Sequence, residues 1–217
     1  MKKLLILTAI ILFGFTSVNA QKDFQFGVKA GPNLSTISTD NDIICFESAI
    51  GVQFGVMAEV PLGEKMAFGP ELGYKAANID YCIEDYYLDD FPTVTSKAAA
   101  ADDYSGTIKL RYLDIPLMLK YYVAEGFSLE AGPNVAFLLS AKDDWNDFGE
   151  TGEDDIKDEL KGIDFGVNFG LGYKLEGGLN FGARYNLGLS DANDNKEEIG
   201  DDYLKIRSFQ VFVGYFF

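Results

Sequence analysis

The sequence contains no histidine, and its only cysteines are Cys45 and Cys82. Without histidine, the chain cannot form the Ser-His or Asp-His pairs that hydrolases commonly use to activate a nucleophile. Basic residues are also few, because 18 lysines and arginines stand against 34 acidic residues and leave a net charge of −16. Such a chain repels nucleic acid, whose phosphates attract positive charge. The sequence therefore predicts a protein that is not an enzyme, uses no cofactor or bound metal, and binds no nucleic acid.

Long hydrophobic runs are almost absent, since only residues 4–15 form one, directly after two lysines. Small residues follow this run and end at Ala20, which is the layout of a secretory signal peptide. The run is too short for a membrane-spanning helix. We predict that residues 1–20 are removed by cleavage near Ala20 and that residues 21–217 form the mature domain. This domain has 16 basic and 34 acidic residues, a net charge of −18.

Because no second long apolar run exists, the mature chain can cross a membrane only with β-strands. Alternating apolar and polar residues are typical of such strands, whose side chains point to opposite faces in turn. The alternation occurs in eight segments, near residues 24–31, 50–60, 66–75, 107–122, 127–139, 164–175, 179–190 and 204–217.

The two phases of each segment differ in chemistry. One is apolar, as in Phe24, Phe26 and Val28, whereas the other carries charged residues, asparagines and all thirteen glycines of the segments. A soluble barrel, such as a periplasmic lipocalin-like binder, would show the same alternation with its apolar phase inside. Glycine weakens a strand unless space is short on its side, so the glycines favour a narrow polar lumen and a lipid-facing apolar surface.

The connections between the segments alternate in length. Residues 32–49, 76–106, 140–163 and 191–203 form long connections, and three short ones lie between them. The long connections also carry a net charge of −20, which exceeds the −18 of the whole mature chain. The pattern predicts an all-β fold, an eight-stranded antiparallel up-and-down transmembrane β-barrel with short periplasmic turns and long, acidic extracellular loops.

The polar phase supplies candidate lumen residues of both charges. Because unpaired charge in a narrow lumen is unfavourable, we expect an ion-pair network rather than a catalytic carboxylate pair. Long side chains would also fill the bore of an eight-stranded barrel, which argues against a wide channel. The predicted network comprises Lys29, Glu59, Glu71, Lys75, Lys120, Glu130 and Arg184.

Proline and phase changes predict irregular points in the wall. The echoes "AGPNL" (30–34), "FGPEL" (68–72) and "AGPNV" (131–135) each contain a proline, which removes a strand hydrogen-bond donor. We expect bulges at Pro70, Pro116 and Pro133. The switch of the apolar phase from even to odd numbers near Tyr112 predicts another bulge.

Several stretches resemble the PorT-like outer membrane β-barrel family: "FGVKAGPNLS" (26–35), "RYLDIPLMLKYYV" (111–123), "LEAGPNVAFLLSAK" (129–142) and the aromatic end "SFQVFVGYFF". The resemblance covers the mature chain and implies an eight-stranded barrel in the outer membrane of a Gram-negative bacterium; OmpA and OmpX are more distantly similar in architecture. One branch of the family is tied to protein secretion.

The last strand also suggests a partner. Val213, Tyr215 and Phe217 alternate in "SFQVFVGYFF" and resemble the C-terminal signal that such barrels present to the barrel-assembly machinery. We expect a monomer surrounded by outer membrane lipid, with a structural or interaction role carried by its acidic loops and a protein partner at those loops. An accessory role in protein secretion and a soluble periplasmic binder are the alternatives.

The two cysteines fall on the long-loop side of the second and third strands. Beyond the inner membrane an even number of cysteines favours disulfide formation. Extending the hairpin from its short turn brings residue 45 opposite 81, or 46 opposite 82. We therefore predict a disulfide between Cys45 and Cys82.

Overall fold

The computed structural model describes residues 24–39, 44–83, 104–147, 149–194 and 203–217. The predicted signal peptide lies outside these residues. Within the described part of the chain, no helix has the length and apolar content needed to cross a membrane.

Eight long antiparallel strands form a closed ring in the described residues, and a ninth, short strand extends one side. The ring order is β1-β2-β3-β4-β5-β7-β8-β9, with β9 pairing back onto β1, whereas β6 pairs only with β5. The predicted fold is therefore confirmed. The strands are β1 (Gln25–Ser38), β2 (Ile44–Pro61), β3 (Met66–Ile83), β4 (Tyr104–Ala124), β5 (Phe127–Asp147), β6 (Glu150–Asp155), β7 (Ile163–Lys174), β8 (Leu179–Gly188) and β9 (Lys205–Phe216), and a short 3-10 helix spans Lys157–Glu159.

One end of the barrel carries the short turns, as the sequence predicts. Residues 62–65, 125–126 and 175–178 make these connections. Gly126 and Gly178 have φ values of 72° and 87°, which glycine adopts without steric cost. By the rule for bacterial barrels, this short-turn end faces the periplasm and the opposite, outward end faces the exterior.

At the outward end the strands are much longer than predicted. A membrane-crossing strand needs about 9–11 residues, but β3 has 18 and β4 and β5 have 21 each. Most of the predicted loop 32–49 is strand, and the predicted loop 140–163 contains the end of β5 and all of β6. These boundaries were wrong because the strands continue past the bilayer, where the lipid-facing pattern no longer marks them.

The apolar phase reverses where the strands leave the bilayer. On β9, the outward-pointing side chains of Phe209, Val211 and Val213 are about half exposed, whereas Ile206 beyond them points inward and is buried. The reversal follows from solvent, since side chains outside the bilayer must be polar toward water and apolar toward a core. The resulting buried outer core consists of Ile37, Ala77, Ile79, Leu110, Tyr112, Ala136, Leu138, Ala141, Ala192 and Ile206.

Three register shifts interrupt the described wall, but the bulge predicted near Tyr112 is wrong. The shift at that level has its extra residue, Leu139, in β5, whereas the even-numbered residues of β4 from Leu110 to Lys120 all point inward. The others lie in β2 between Ser48 and Gln53 and at the end of β4 between Tyr122 and Ala124. The bulges predicted at the prolines are wrong, because the register is unchanged on both sides of each of them. Proline removes one donor there without inserting a residue, so the pairing is interrupted but not shifted. The three positions concerned are Pro70, Pro116 and Pro133.

The repeated "AGPN" stretches share a close approach of neighbouring backbone. A Cβ on Gly31 would lie 2.0 Å from the carbonyl oxygen of Val211, and one on Gly132 would lie 2.0 Å from that of Leu117. No side chain fits at such distances, so glycine is required at both positions. The echo in the sequence thus has an architectural cause.

Candidate functional site

A network of charged side chains fills the membrane-spanning half of the barrel. Its members come from seven of the eight ring strands, and most are almost fully buried. This lumen network comprises Lys29, Glu59, Glu71, Lys120, Glu130, Lys174 and Arg184.

Arg184 is the centre of the lumen network. Its guanidinium donates to Glu71 at 2.7 and 2.8 Å and to Glu130 at 2.6 and 3.0 Å. Lys29 donates a further hydrogen bond to Glu71, and the guanidinium carbon lies 4.7 Å from the centre of the Phe212 ring. A cation that bridges two carboxylates in this way fixes the spacing of three strands at once.

The second arm of the network surrounds Glu59. Lys120 donates to Glu59 at 3.0 Å and lies 3.6 Å from Glu130, which links the two arms. Tyr122 donates to Glu59 at 2.8 Å, and Lys174 donates to the same carboxylate oxygen. The sequence analysis did not assign Lys174 to the network, although its position in the polar phase of β7 was the available signal.

Lys75 lies apart from the other predicted lumen residues. Its ammonium nitrogen is 3.8 Å from Asp114, which also accepts a hydrogen bond of 2.8 Å from Asn134. The structure therefore brings together six of the seven predicted residues and places the seventh in a separate ion pair. Each of the three carboxylates in the lumen network contacts at least one cation. The network can therefore cross-link the strands of the barrel wall.

The C-terminal strand completes the ring. Val213 and Tyr215 point outward from β9, and the Phe217 nitrogen donates to the Phe26 carbonyl at 2.8 Å. Phe217 is 76% exposed, the highest value among the large apolar side chains of the described residues. The three residues of the predicted signal are thus presented to lipid, beside the first strand.

Beyond the bilayer, β2 to β6 form a sheet with an acidic outer face. Five residues lie in one row across these strands, because each is directly opposite the next in the strand register. Their side chains lie on the face opposite to the outer core. This acidic platform comprises Glu47, Asp80, Thr107, Asp144 and Glu153.

The platform is partly neutralised by its neighbours. Thr107 donates to Asp80 at 2.6 Å, Lys109 donates to Asp144, and Lys142 pairs with Glu153. Among the described residues, neither Glu47 nor Asp80 forms an ion pair with a basic side chain.

Cys45 and Cys82 lie two residues beyond Glu47 and Asp80 along β2 and β3, toward the outward end. They are directly opposite in the register, their Cα atoms are 5.2 Å apart, and the structure joins their sulfurs as a disulfide. The predicted registers differed by one residue, because the shift between Ser48 and Gln53 changes the alignment of the hairpin. The bridge would hold β2 to β3 at the edge of the acidic platform.

The acidic stretch 191–202 resembles the start of a calcium loop, but residues 195–202 lie outside the described residues. Asp191 accepts hydrogen bonds from the backbone nitrogens of Asn193 and Leu204. In the described residues, no group of three or more acidic or cysteine side chains is arranged to hold a metal ion.

A family model for the outer membrane protein beta-barrel domain matches residues 19–194. The chain belongs to this family. It is therefore an outer membrane β-barrel protein, and the apolar band around the ring is its lipid-facing surface. No curated protein matches the sequence.

Solved structures of outer membrane barrels are similar in fold. A major outer membrane protein from Thermus thermophilus has 14% identity and a TM-score of 0.55, with 90% of this chain and all of that chain covered. Ail of Yersinia pestis, solved in complex with the heparin analogue sucrose octasulfate, has 13% identity and a TM-score of 0.48 over 90% of this chain and all of its own. At these identities the likeness concerns the fold alone.

Proposed function

We propose that this outer membrane barrel is a non-enzymatic interaction protein that presents its acidic platform to a protein partner with a basic surface. The observation that carries the proposal is the row of four carboxylates and one threonine across β2 to β6 outside the bilayer. The barrel half below it acts as a membrane anchor stiffened by the lumen network.

Like charges stand directly opposite each other on the platform. Glu47 faces Asp80, and Asp144 faces Glu153. Such cross-strand pairs destabilise a sheet. A local arrangement that opposes stability is often a functional feature, and a basic partner would relieve the repulsion.

The lumen argues against a transport role. Side chains from seven strands meet in it through hydrogen bonds and ion pairs, which is the packed interior expected for eight strands. Catalysis is also disfavoured, because the sequence has no histidine and the lumen carboxylates are bound to cations.

The two alternatives have different support. A soluble lipocalin-like binder would turn its apolar phase inward, whereas this barrel exposes Phe26, Phe54 and Phe169 by half or more around its outside. An accessory role in secretion rests on the resemblance of residues 111–123 and 129–142 to the PorT-like family. That role would make the platform a contact for other secretion components.

The test is photo-cross-linking in intact cells. A benzophenone amino acid replaces Thr151, which is exposed and lines the same surface as the platform. We expect specific adducts that disappear in the triple variant Glu47→Gln, Asp80→Asn, Glu153→Gln, and that weaken at high salt because charge steers the contact.

Two controls isolate the platform. The same label at Gly177, in an open position of a periplasmic turn, reports background. The triple variant Asp147→Asn, Asp158→Asn, Asp194→Asn removes equal charge at the outward end but outside the platform, and we expect it to keep the adducts. Equal loss in both triple variants would contradict the proposal. In the same strains, secreted protein that falls only in the platform variant would support the secretion role, and unchanged secretion would exclude it.

A further inference from the structure

The barrel interior contains an apolar cavity of about 240 Å³ at the outward end. This is unusual, since the interior of a bacterial membrane barrel is generally polar. The cavity lies beside the outer core, and strands β1 to β5 and β9 contribute residues to its walls. Its apolar lining includes Ile37, Phe46, Leu110, Leu160, Leu204 and Ile206.

The described lining of the cavity is acidic and contains no basic residue. Asp143 and Glu159 are its two charged residues among those described. Tyr81 donates to one carboxylate oxygen of Asp143 at 3.0 Å. The other oxygen, Oδ1, is buried and accepts no hydrogen bond from any described residue.

An unsatisfied carboxylate oxygen in apolar surroundings is unfavourable, typically by more than one hydrogen bond contributes when made. Burial raises the pKa of the Asp143 carboxyl, and the nearby carboxylates of Asp154 and Asp144 raise it further against the effect of the Tyr81 hydrogen bond. A positively charged donor at Oδ1 would satisfy the oxygen and favour the ionised form.

We propose that this cavity is a binding site for a small organic monocation with an apolar body and a primary ammonium group. Binding rotates the Asp143 side chain so that Oδ1, which is shielded in the unliganded barrel, turns to the cavity and accepts a charge-assisted hydrogen bond from the ammonium. The apolar body packs against the aliphatic walls. The inference does not depend on the proposed protein partner, because the cavity lies on the opposite side of the sheet from the acidic platform.

The shape and charge of the cavity define the ligand class. Its volume is below the range of roughly 300–1,000 Å³ that holds drug-sized ligands, so the ligand must be compact. An anion would face two carboxylates with no basic residue among the described lining. A neutral apolar molecule would leave the oxygen of Asp143 without its donor.

The test uses purified full-length mature protein refolded in a non-ionic detergent, which avoids the quaternary ammonium of choline detergents. Isothermal titration with 2-phenylethylammonium is compared with 2-phenylethanol, a neutral molecule of similar size. We expect saturable binding of the amine with one site per barrel, and binding of the alcohol that is weaker by roughly ten-fold or more.

Three variants locate the site. Asp143→Asn removes the charge with little change of shape and should weaken amine binding by roughly ten- to a hundred-fold. Ala192→Leu, which fills part of the cavity, should also weaken binding of the amine. Asp144→Asn is the matched control, because this neighbouring carboxylate pairs with Lys109 on the other face of the sheet.

A heat-dependent gel shift first shows that each variant is a closed barrel, so that a loss of binding cannot result from failed folding. Absence of saturable amine binding overturns the proposal. Equal binding of amine and alcohol, or equal loss in Asp143→Asn and Asp144→Asn, also overturns it, since the contact would then be merely apolar or merely a response to surface charge.

Discussion

At the scale of single residues, Arg184 forms more hydrogen bonds than any other side chain of the described lumen network. It makes four hydrogen bonds to two carboxylates while only 2% exposed. The geometry is bidentate, which lysine cannot reproduce. Loss of Arg184 would leave Glu71 and Glu130 with fewer cations in a buried site.

We predict that Arg184→Met lowers the free energy of unfolding by about 3–5 kcal/mol, the usual result of removing one partner from a buried ion pair. The measurement is urea unfolding of the barrel in lipid vesicles, followed by gel mobility. Lys142→Met serves as control, because the ion pair of Lys142 with Glu153 lies at the exposed surface and such pairs contribute little. An Arg184→Met barrel as stable as the control would show that the lumen network is not a stabilising cross-link.

At the scale of strands, the hairpin of β2 and β3 extends beyond the bilayer and carries both the platform edge and the cysteine pair. The shift between Ser48 and Gln53 brings Cys45 directly opposite Cys82 in the register. A bridge at this point closes a loop of the chain and restricts its unfolded state.

We predict that protein isolated from its native membrane and denatured without reductant contains no free thiol. The double variant Cys45→Ser, Cys82→Ser should lose up to ~4 kcal/mol of unfolding free energy in the chain-entropy account of disulfides. A thiol-reactive dye measures the first quantity and urea unfolding the second. Reductant added to the double variant should change nothing, and two reactive thiols in the unreduced protein would refute the bridge.

At the scale of the whole molecule, the decisive step is closure of the ring by β1 and β9. A β-sheet with open edges cannot be accommodated in lipid, because its unpaired backbone groups have no partners there. Strand β9 pairs with β1 on one side and β8 on the other, and the last backbone nitrogen, that of Phe217, still donates to Phe26.

We predict that deletion of Phe217, or Phe217→Asp, strongly reduces the amount of barrel in the outer membrane, because we expect the assembly machinery to recognise the last strand before closure. Immunoblots of membrane fractions with and without heating measure this amount. Phe24→Asp is the control, since Phe24 is an exposed aromatic at the same end of the barrel but outside β9. If both substitutions reduce assembly equally, the effect is a general penalty for charge at the lipid interface and the signal hypothesis fails.

The sequence by itself determined the membrane-spanning half of this protein. Alternation is a local property, so residues such as Val211 and Gln210 report which face they occupy without knowledge of their neighbours. The number of ring strands, the short-turn end and the polar lumen all followed from it.

Only the tertiary structure decided the outward half and the partners within the lumen. Ile37, Ile79 and Ile206 share the phase of the lumen residues, but their role as a core depends on where the bilayer ends and on how far opposite strands extend. Which carboxylate Arg184 meets depends on the stagger of strands closed into a ring, a long-range property that no single segment encodes. The apolar cavity beside Asp143 likewise exists only because six strands and two connecting segments converge around it.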